Sequence, residues 1–183
     1  KDNRVLLGFS GGIDSFAAVG LLQAAGYHVT ALTLDMRGDS ALLEKARLRA
    51  GALGIPWRMR SVRERFEREV VDYFTDSYSG VYPGSVHALQ QSDQMALPCG
   101  KADALGIRHI ATGHYFRITS AGGKRYVTRA ADNRKDQSYY LWDLPQEILD
   151  RVLTPMGTVI KRNIVEELAD RRESMGVCLS LIH

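Results

Sequence analysis

Cysteine is scarce in this chain: Cys99 and Cys178 are the only two among 183 residues. Two thiols far apart cannot build a zinc site without other ligands, and a cytoplasmic chain would not normally carry a structural disulfide, so both default to buried, inert thiols. No apolar run approaches the roughly 20 residues that a membrane-spanning helix needs, and no signal peptide is visible. The expectation is a cytoplasmic protein with no membrane partner. A large excess of one charge is also lacking, and a net +3 is too small to mark a nucleic-acid binder by itself. There is no internal repeat and no low-complexity tract. What remains, 45% hydrophobic and 25% charged, is an ordinary globular composition, enough for one domain with a sizeable core and the beginning of a second.

Two familiar phosphate-binding patterns are absent as well. No Lys follows Gly12, so there is no Walker loop, and no G-x-G-x-x-G opens a helix. In their place stands Gly8-Phe9-Ser10-Gly11-Gly12-Ile13-Asp14-Ser15, between an apolar run (Val5 to Leu7) and a helix-like one (Phe16 to Ala25). A strand breaking into a glycine turn and then a helix is an anion cradle: glycines admit close approach, and the helix start offers N–H groups and a positive dipole end. Ser10 and Ser15 add hydroxyls. Asp14 would repel phosphate unless a divalent cation lies between them, or unless it caps the helix. The S-G-G-x-D-S pattern resembles the pyrophosphate-binding loop of the PP-loop ATP pyrophosphatases.

Read in order, Arg4 to Phe9 is expected to be a buried strand and Asp14 to Ala25 a helix closed by Gly26. His28 to Leu34 reads as a strand, Ser40 to Leu53 as a helix, Trp57 to Arg60 as a strand and Val62 to Tyr78 as a long helix. That alternation predicts a parallel sheet with helices on both faces and the ligand at the carboxyl ends of the strands. Gly80 to Gly100 is polar and irregular. Lys101 to Leu105 ends a helix, Arg108 to Thr112 is a fourth strand, and Arg117 to Ala130 a hairpin turning at Ala121-Gly122-Gly123. Gln146 to Leu153 and Asn163 to Arg172 read as helices. Between Arg117 and Lys135 lie Arg117, Lys124, Arg125, Arg129, Arg134 and Lys135 against the single acid Asp132. This strip suits a phosphate-tracking surface and a solvated hairpin equally well.

Four separated pieces carry a more specific resemblance: Ser10-Gly-Gly-Ile-Asp-Ser15, Ala111-Thr-Gly-His-Tyr115, Lys135-Asp-Gln-Ser-Tyr139 and Met175-Gly-Val-Cys178. In this order they look like the tRNA 2-thiouridylases (the MnmA/TrmU family), over nearly the whole chain. The resemblance implies an α/β fold, a doubly wound parallel sheet of the adenine nucleotide alpha hydrolase (PP-loop, HUP-like) type. Residues 1–130 would form the ATP-binding catalytic domain, and 131–183 the start of a small, mostly helical tRNA-contacting region carrying the second cysteine. It implies an enzyme that uses ATP to adenylate the C2 oxygen of a wobble uridine and then installs sulfur from a cysteine persulfide.

By the same resemblance, Gly8 to Ser15 would hold the pyrophosphate with magnesium, Asp14 would be catalytic, and Leu34 and Gly113 would contact the nucleotide. His114, Lys135, Asp136 and Gln137 match positions that contact tRNA. Cys178 would carry the persulfide handed over by a sulfur-relay protein or cysteine desulfurase. Cys99 would be the second catalytic cysteine, leaving a transient Cys99–Cys178 disulfide. The family's T-P-N-P-x-x-x-C-N signature is replaced here by Met95-Ala-Leu-Pro-Cys-Gly100, and the stretch from Cys99 to Gly113 is shorter than the family pattern. Cys99 therefore matches either the nucleophile or a cysteine that some members carry three positions before it. Family members continue past G-V-C into β-rich domains, so the chain is expected to be a catalytic-domain portion. Two rivals stand beside this reading: a PP-loop ligase or amidotransferase-type synthetase that uses ammonia, and a non-catalytic ATP- or RNA-binding module.

Overall fold

A computed structural model describes residues 2–64, 98–141, 144–164 and 166. Most of the expected Val62 to Tyr78 helix, most of Gly80 to Gly100, most of the Asn163 to Arg172 helix, and Cys178 lie outside the described residues. Among the described residues five strands form one sheet: β1 (Arg4–Gly8), β2 (His28–Asp35), β3 (Trp57–Ser61), β4 (His109–Thr112) and, later in the chain, Val152–Leu153. Between the last two, β5 (Arg117–Ala121) and β6 (Lys124–Thr128) pair as the expected hairpin, so the Val152–Leu153 strand is β7. Gly122 and Gly123 take left-handed φ at its turn, where side chains with a Cβ are disfavoured.

The sheet order is β3-β2-β1-β4-β7, all parallel. Starting at β1, the chain steps outward through β2 and β3, then returns to the other side of β1 for β4. Two right-handed crossovers running in opposite directions leave their helices on opposite faces. On one face α1 (Ile13–Ala24) and α2 (Ser40–Ala52) pack Ala18, Val19, Leu22, Ala46 and Ala50 against Val5, Leu7, Val29, Ala31 and Ala111. On the other, α3 (98–104) sets Cys99 and Ala102 against Leu6, Leu32 and Ile110. The alternation Val5/Leu7 versus Leu6 is the period-2 signature of a strand buried on both faces. This is the doubly wound α/β fold that the strand–helix rhythm predicts.

One expected element differs. The helix predicted over Gln146 to Leu153 is only α4 (Gln146–Leu149), and Val152 and Leu153 join the sheet beside Ile110 and Ala111. Arg151 makes the turn: its guanidinium donates to the carbonyls of Arg108 (2.8 Å) and Ile107 (3.2 Å), tying the end of α4 to the start of β4. A free sheet edge next to β4 thus captures a β-branched residue whose local spacing is equally compatible with a helix. The sheet consequently draws its last strand from beyond residue 130.

Candidate functional site

The carboxyl ends of β1 and β4 lie level, Gly8 opposite Thr112, while β2 pairs Leu32 with Gly8 and runs on to Asp35. Because β1 is flanked by strands whose connections leave in opposite directions, a crevice opens at its end, the place where doubly wound sheets hold ligands. A cleft of about 370 Å³ occupies it. From the loop, Gly8, Phe9, Ser10, Asp14 and Ser15 line it; of the other expected site residues Leu34, Gly113, His114 and Gln137 do so, whereas Lys135 and Asp136 do not. Thr33, Met36, Leu42 and Pro98 line it too, residues that the motifs had not marked.

The loop is built for close approach. Gly12 occupies the N-cap of α1 with no side-chain cap, so the first-turn amides keep no carboxylate or hydroxyl acceptor from that position. Asp14 is therefore not the cap, which removes one of the two ways to reconcile its charge with a phosphate. Ser15 Oγ donates to the Gly12 carbonyl at 3.0 Å, and the Gly12 amide donates to Ser10 Oγ at 3.3 Å. Gly11 has φ +71°, and an added Cβ would stand 3.0 Å from the Ala46 Cα on α2. Both conditions require glycine there. Gly11, Gly12 and Ile13 form the back of the loop and do not line the cleft.

Behind the loop lies Arg49 of α2, only 4% exposed. Its guanidinium donates to the Gly11 carbonyl, while its Nε and Nη2 have no hydrogen-bond partner. Burial pulls its pKa down. A cation buried against the loop raises the local positive potential and holds the Gly11 carbonyl turned away from the cleft.

Asp14 is where the separated motifs meet. Its Oδ1 accepts from the Tyr115 hydroxyl at 2.7 Å and its Oδ2 from Lys161 Nζ at 2.8 Å. Tyr115 is held in turn by Gln137, whose side-chain Oε1 accepts from the Tyr115 backbone amide (3.0 Å) and whose backbone amide donates to the Tyr115 carbonyl (2.8 Å). Burial, together with the hydrogen bond to Asp14, pushes the Tyr115 phenol far above its ordinary range, so it serves as a donor. Asp132, the lone acid of the basic strip, is buried rather than solvated. It accepts from the backbone amides of Lys161 (3.0 Å) and Arg134 (3.1 Å), and the Lys161 amide is the main cause that lowers its pKa.

His114 stands at the cleft with Nδ1 2.9 Å from Thr112 Oγ1. Burial lowers its pKa, with Asp14 pulling the other way. Asp136 is spent on the turn, accepting from the Ala130 amide and the Ser138 hydroxyl, each at 2.8 Å. Lys135 is exposed. Within the basic strip, Arg117 donates to the Arg129 carbonyl and Arg125 to the Leu149 carbonyl, so part of it fastens the hairpin. Cys99 is a buried free thiol whose pKa is raised by desolvation, and it does not line the cleft, although Pro98 beside it does.

The residues test the expected magnesium. Among the described residues no group of three His, Cys, Asp or Glu could hold a metal ion, and both oxygens of Asp14 are engaged by Tyr115 and Lys161. A metal on Asp14 would have to share the carboxylate with the Lys161 ammonium already on Oδ2 and the Tyr115 hydroxyl on Oδ1. Lys161, Tyr115 and Arg49 are the functional candidates that motif reading passed over. Tyr115 lay inside a quoted motif, but Lys161 and Arg49 had no local signal.

A protein-family profile described as "tRNA methyl transferase HUP domain" matches residues 3–180. The chain belongs to this family. Among curated relatives it is 41% identical over 192 residues to "tRNA-specific 2-thiouridylase MnmA 2" of Phocaeicola vulgatus, covering 97% of this chain and 54% of that one. It is 40% identical over 190 residues to "tRNA-specific 2-thiouridylase MnmA 1" of Bacteroides fragilis, covering 97% and 52%. The chain thus spans about half the length of these relatives. Among solved structures, a 4-thiouridine synthetase–RNA complex with bound ATP superimposes with a TM-score of 0.65 at 18% identity, over 98% of this chain and 45% of that one. That likeness shows the fold. For the family member described here, the motif resemblance and the relatives' names agree. No helix among the described residues is long and apolar enough to cross a membrane.

Proposed function

We propose that this HUP-domain chain is the catalytic portion of a tRNA-uridine 2-sulfurtransferase, acting in the cytoplasm with a persulfide-carrying sulfur donor. The observation that carries the reading is the convergence on Asp14. Three motifs from distant parts of the sequence reach one cleft through Asp14–Tyr115–Gln137, at the ligand position of a doubly wound sheet. Relatives named tRNA-specific 2-thiouridylase supply the substrate class.

In this reading ATP lies with its phosphates on Gly8 to Ser15, and the apolar side of the cleft at Leu34 and Gly113 receives the nucleoside. The C2 oxygen of uridine attacks the α-phosphorus and pyrophosphate leaves, its charge held by the α1 amides. Magnesium would arrive on the ATP phosphates, where it supplies charge neutralisation. His114 and Gln137 face the uridine, and the exposed basic residues of the strip, Lys135 among them, meet tRNA phosphates. The terminal sulfur of a Cys178 persulfide attacks C2 and AMP departs. A Cys99 thiolate then attacks Cys178 Sγ, which forms the disulfide and leaves C2=S on the base, and an external thiol reduces the disulfide. Since Cys99 is buried, this last step needs Cys99 to come toward the cleft that Pro98 already lines.

The test is incubation with ATP, magnesium, an unthiolated tRNA and a persulfide-loaded carrier. It is read by nucleoside mass spectrometry and by AMP release. 2-Thiouridine should appear together with AMP, and Cys178→Ser should lose the thiouridine while still binding ATP. Thiolation that survives Cys178→Ser sinks the sulfur route. An ammonia-dependent product points to the ligase rival.

A further inference from the structure

Asp14 poses a problem that the loop alone does not solve. A carboxylate in the first turn of α1 is stabilised by the helix dipole, but it faces the same amides that would hold a polyphosphate. The cap explanation fails because Gly12 is the cap. Direct metal ligation would set a second cation beside the ammonium that already sits on Oδ2, with the Tyr115 hydroxyl on Oδ1. The structure instead places an ammonium on the carboxylate, 147 residues away in sequence: Lys161 Nζ lies 2.8 Å from Asp14 Oδ2, with both side chains about one-third exposed (31% and 32%).

We propose that Lys161 is the charge-compensating cation of the phosphate site, doing from downstream what a Walker loop does with its own lysine. The pairing removes the net repulsion between Asp14 and an incoming pyrophosphate group, and an ammonium has three donors, of which Asp14 takes one. The position is fixed rather than incidental. Buried Asp132 accepts the Lys161 backbone amide, Ala131 donates its amide to the Gly157 carbonyl at 2.9 Å, and Tyr115 fixes the other oxygen of Asp14. Asp132 and Tyr115 are thus positioning residues, one for Lys161 and one for Asp14. The inference rests on the ATP reading above and adds to it the residue that makes an acidic loop tolerate an anion.

Charge compensation and mere structural support differ in what a second substitution does. Titration calorimetry with inorganic pyrophosphate in EDTA, and with ATP, is run on the wild type, Lys161→Met, Lys161→Arg and the double variant Asp14→Asn/Lys161→Met. Melting curves report whether each variant is folded. Lys161→Met should bind pyrophosphate at least about tenfold more weakly, since one unit of compensating charge is lost beside a multiply charged ligand. Lys161→Arg should stay close to the wild type. The double variant, with neither charge, should recover most of the loss. Lys161→Met binding like the wild type, or a double variant no tighter than Lys161→Met, overturns the proposal and leaves the ATP reading intact. A wild-type chain that binds neither ATP nor pyrophosphate overturns both.

Discussion

Gly113 is the position where a single methyl group should do the most damage to the site. It opens the turn after β4, and a Cβ built there stands 2.9 Å from the Ser15 amide nitrogen, 3.1 Å from Ser15 Cα and 3.2 Å from the Asp14 carbonyl carbon. All three atoms are backbone of the first turn of α1, which is itself closed by the Phe16 amide on the Gly12 carbonyl at 3.0 Å. None can rotate aside, so Gly113→Ala must push the helix start and the β4 turn apart by about half an ångström. Overpacking of this kind costs about 1–3 kcal/mol, a melting-point drop of roughly 2–12 °C for a domain of this size. The same displacement moves the amides that would hold phosphate, so nucleotide affinity should fall with stability. Gly20→Ala is the matched control: no heavy atom lies within 4 Å of its Cβ, and it sits on the exposed side of α1. Alanine there should stabilise by about 0.5–1 kcal/mol through helix propensity alone. Differential scanning calorimetry and nucleotide titration on both variants check the pair. A Gly113→Ala chain that melts and binds like the wild type would show that the contact between β4 and the loop is not made.

Two further outcomes follow from the titratable groups. Asp35, buried at the end of β2, accepts from Arg63 Nε at 2.8 Å and from the Gly38 amide at 2.7 Å, and the Arg63 hydrogen bonds hold its carboxyl below the usual range. A carboxyl lowered on folding contributes stability above its unfolded pKa of about 3.9 and loses it as pH falls through that value toward the folded one. Urea unfolding from pH 7 to pH 3.5 should therefore show Asp35→Asn less stable at neutrality, with the gap to the wild type closing in acid; a gap that widens would refute the assignment. Cys99, with its thiol pKa raised by burial, should alkylate with iodoacetamide at pH 8 much more slowly than a free thiol, and at the ordinary rate in urea. Peptide mapping by mass spectrometry reads this, and fast native labelling would mean that α3 already opens around Cys99.

Much of the fold was legible from local pattern, for identifiable reasons. β1 and β2 are buried on both faces and therefore read as near-continuous apolar runs, and the hairpin carries two glycines at its turn. The same logic misread Gln146 to Leu153. Ile148, Leu149, Val152 and Leu153 repeat at spacings that satisfy a helix, and only the open edge beside β4 makes Val152 and Leu153 a strand. Of the residues that line the cleft, Gly8, Phe9, Ser10, Asp14, Ser15, Leu34, Gly113, His114 and Gln137 were reachable because motif chemistry is local. What Asp14 does was not. Its partners, Tyr115 and Lys161, are 101 and 147 residues away, and a lysine near a helix start looks in sequence like any solvated charge.

The amino-acid sequence by itself determined the alternation of strands and helices, the glycine loop and the residue types available at the cleft, since burial period, backbone freedom and side-chain chemistry are properties of neighbouring residues. The tertiary structure decided which charges touch. It set Lys161 and Tyr115 on Asp14, buried Arg49 behind Gly11 and turned Asp132 inward, because electrostatic energy depends on distances in space that chain separation does not encode.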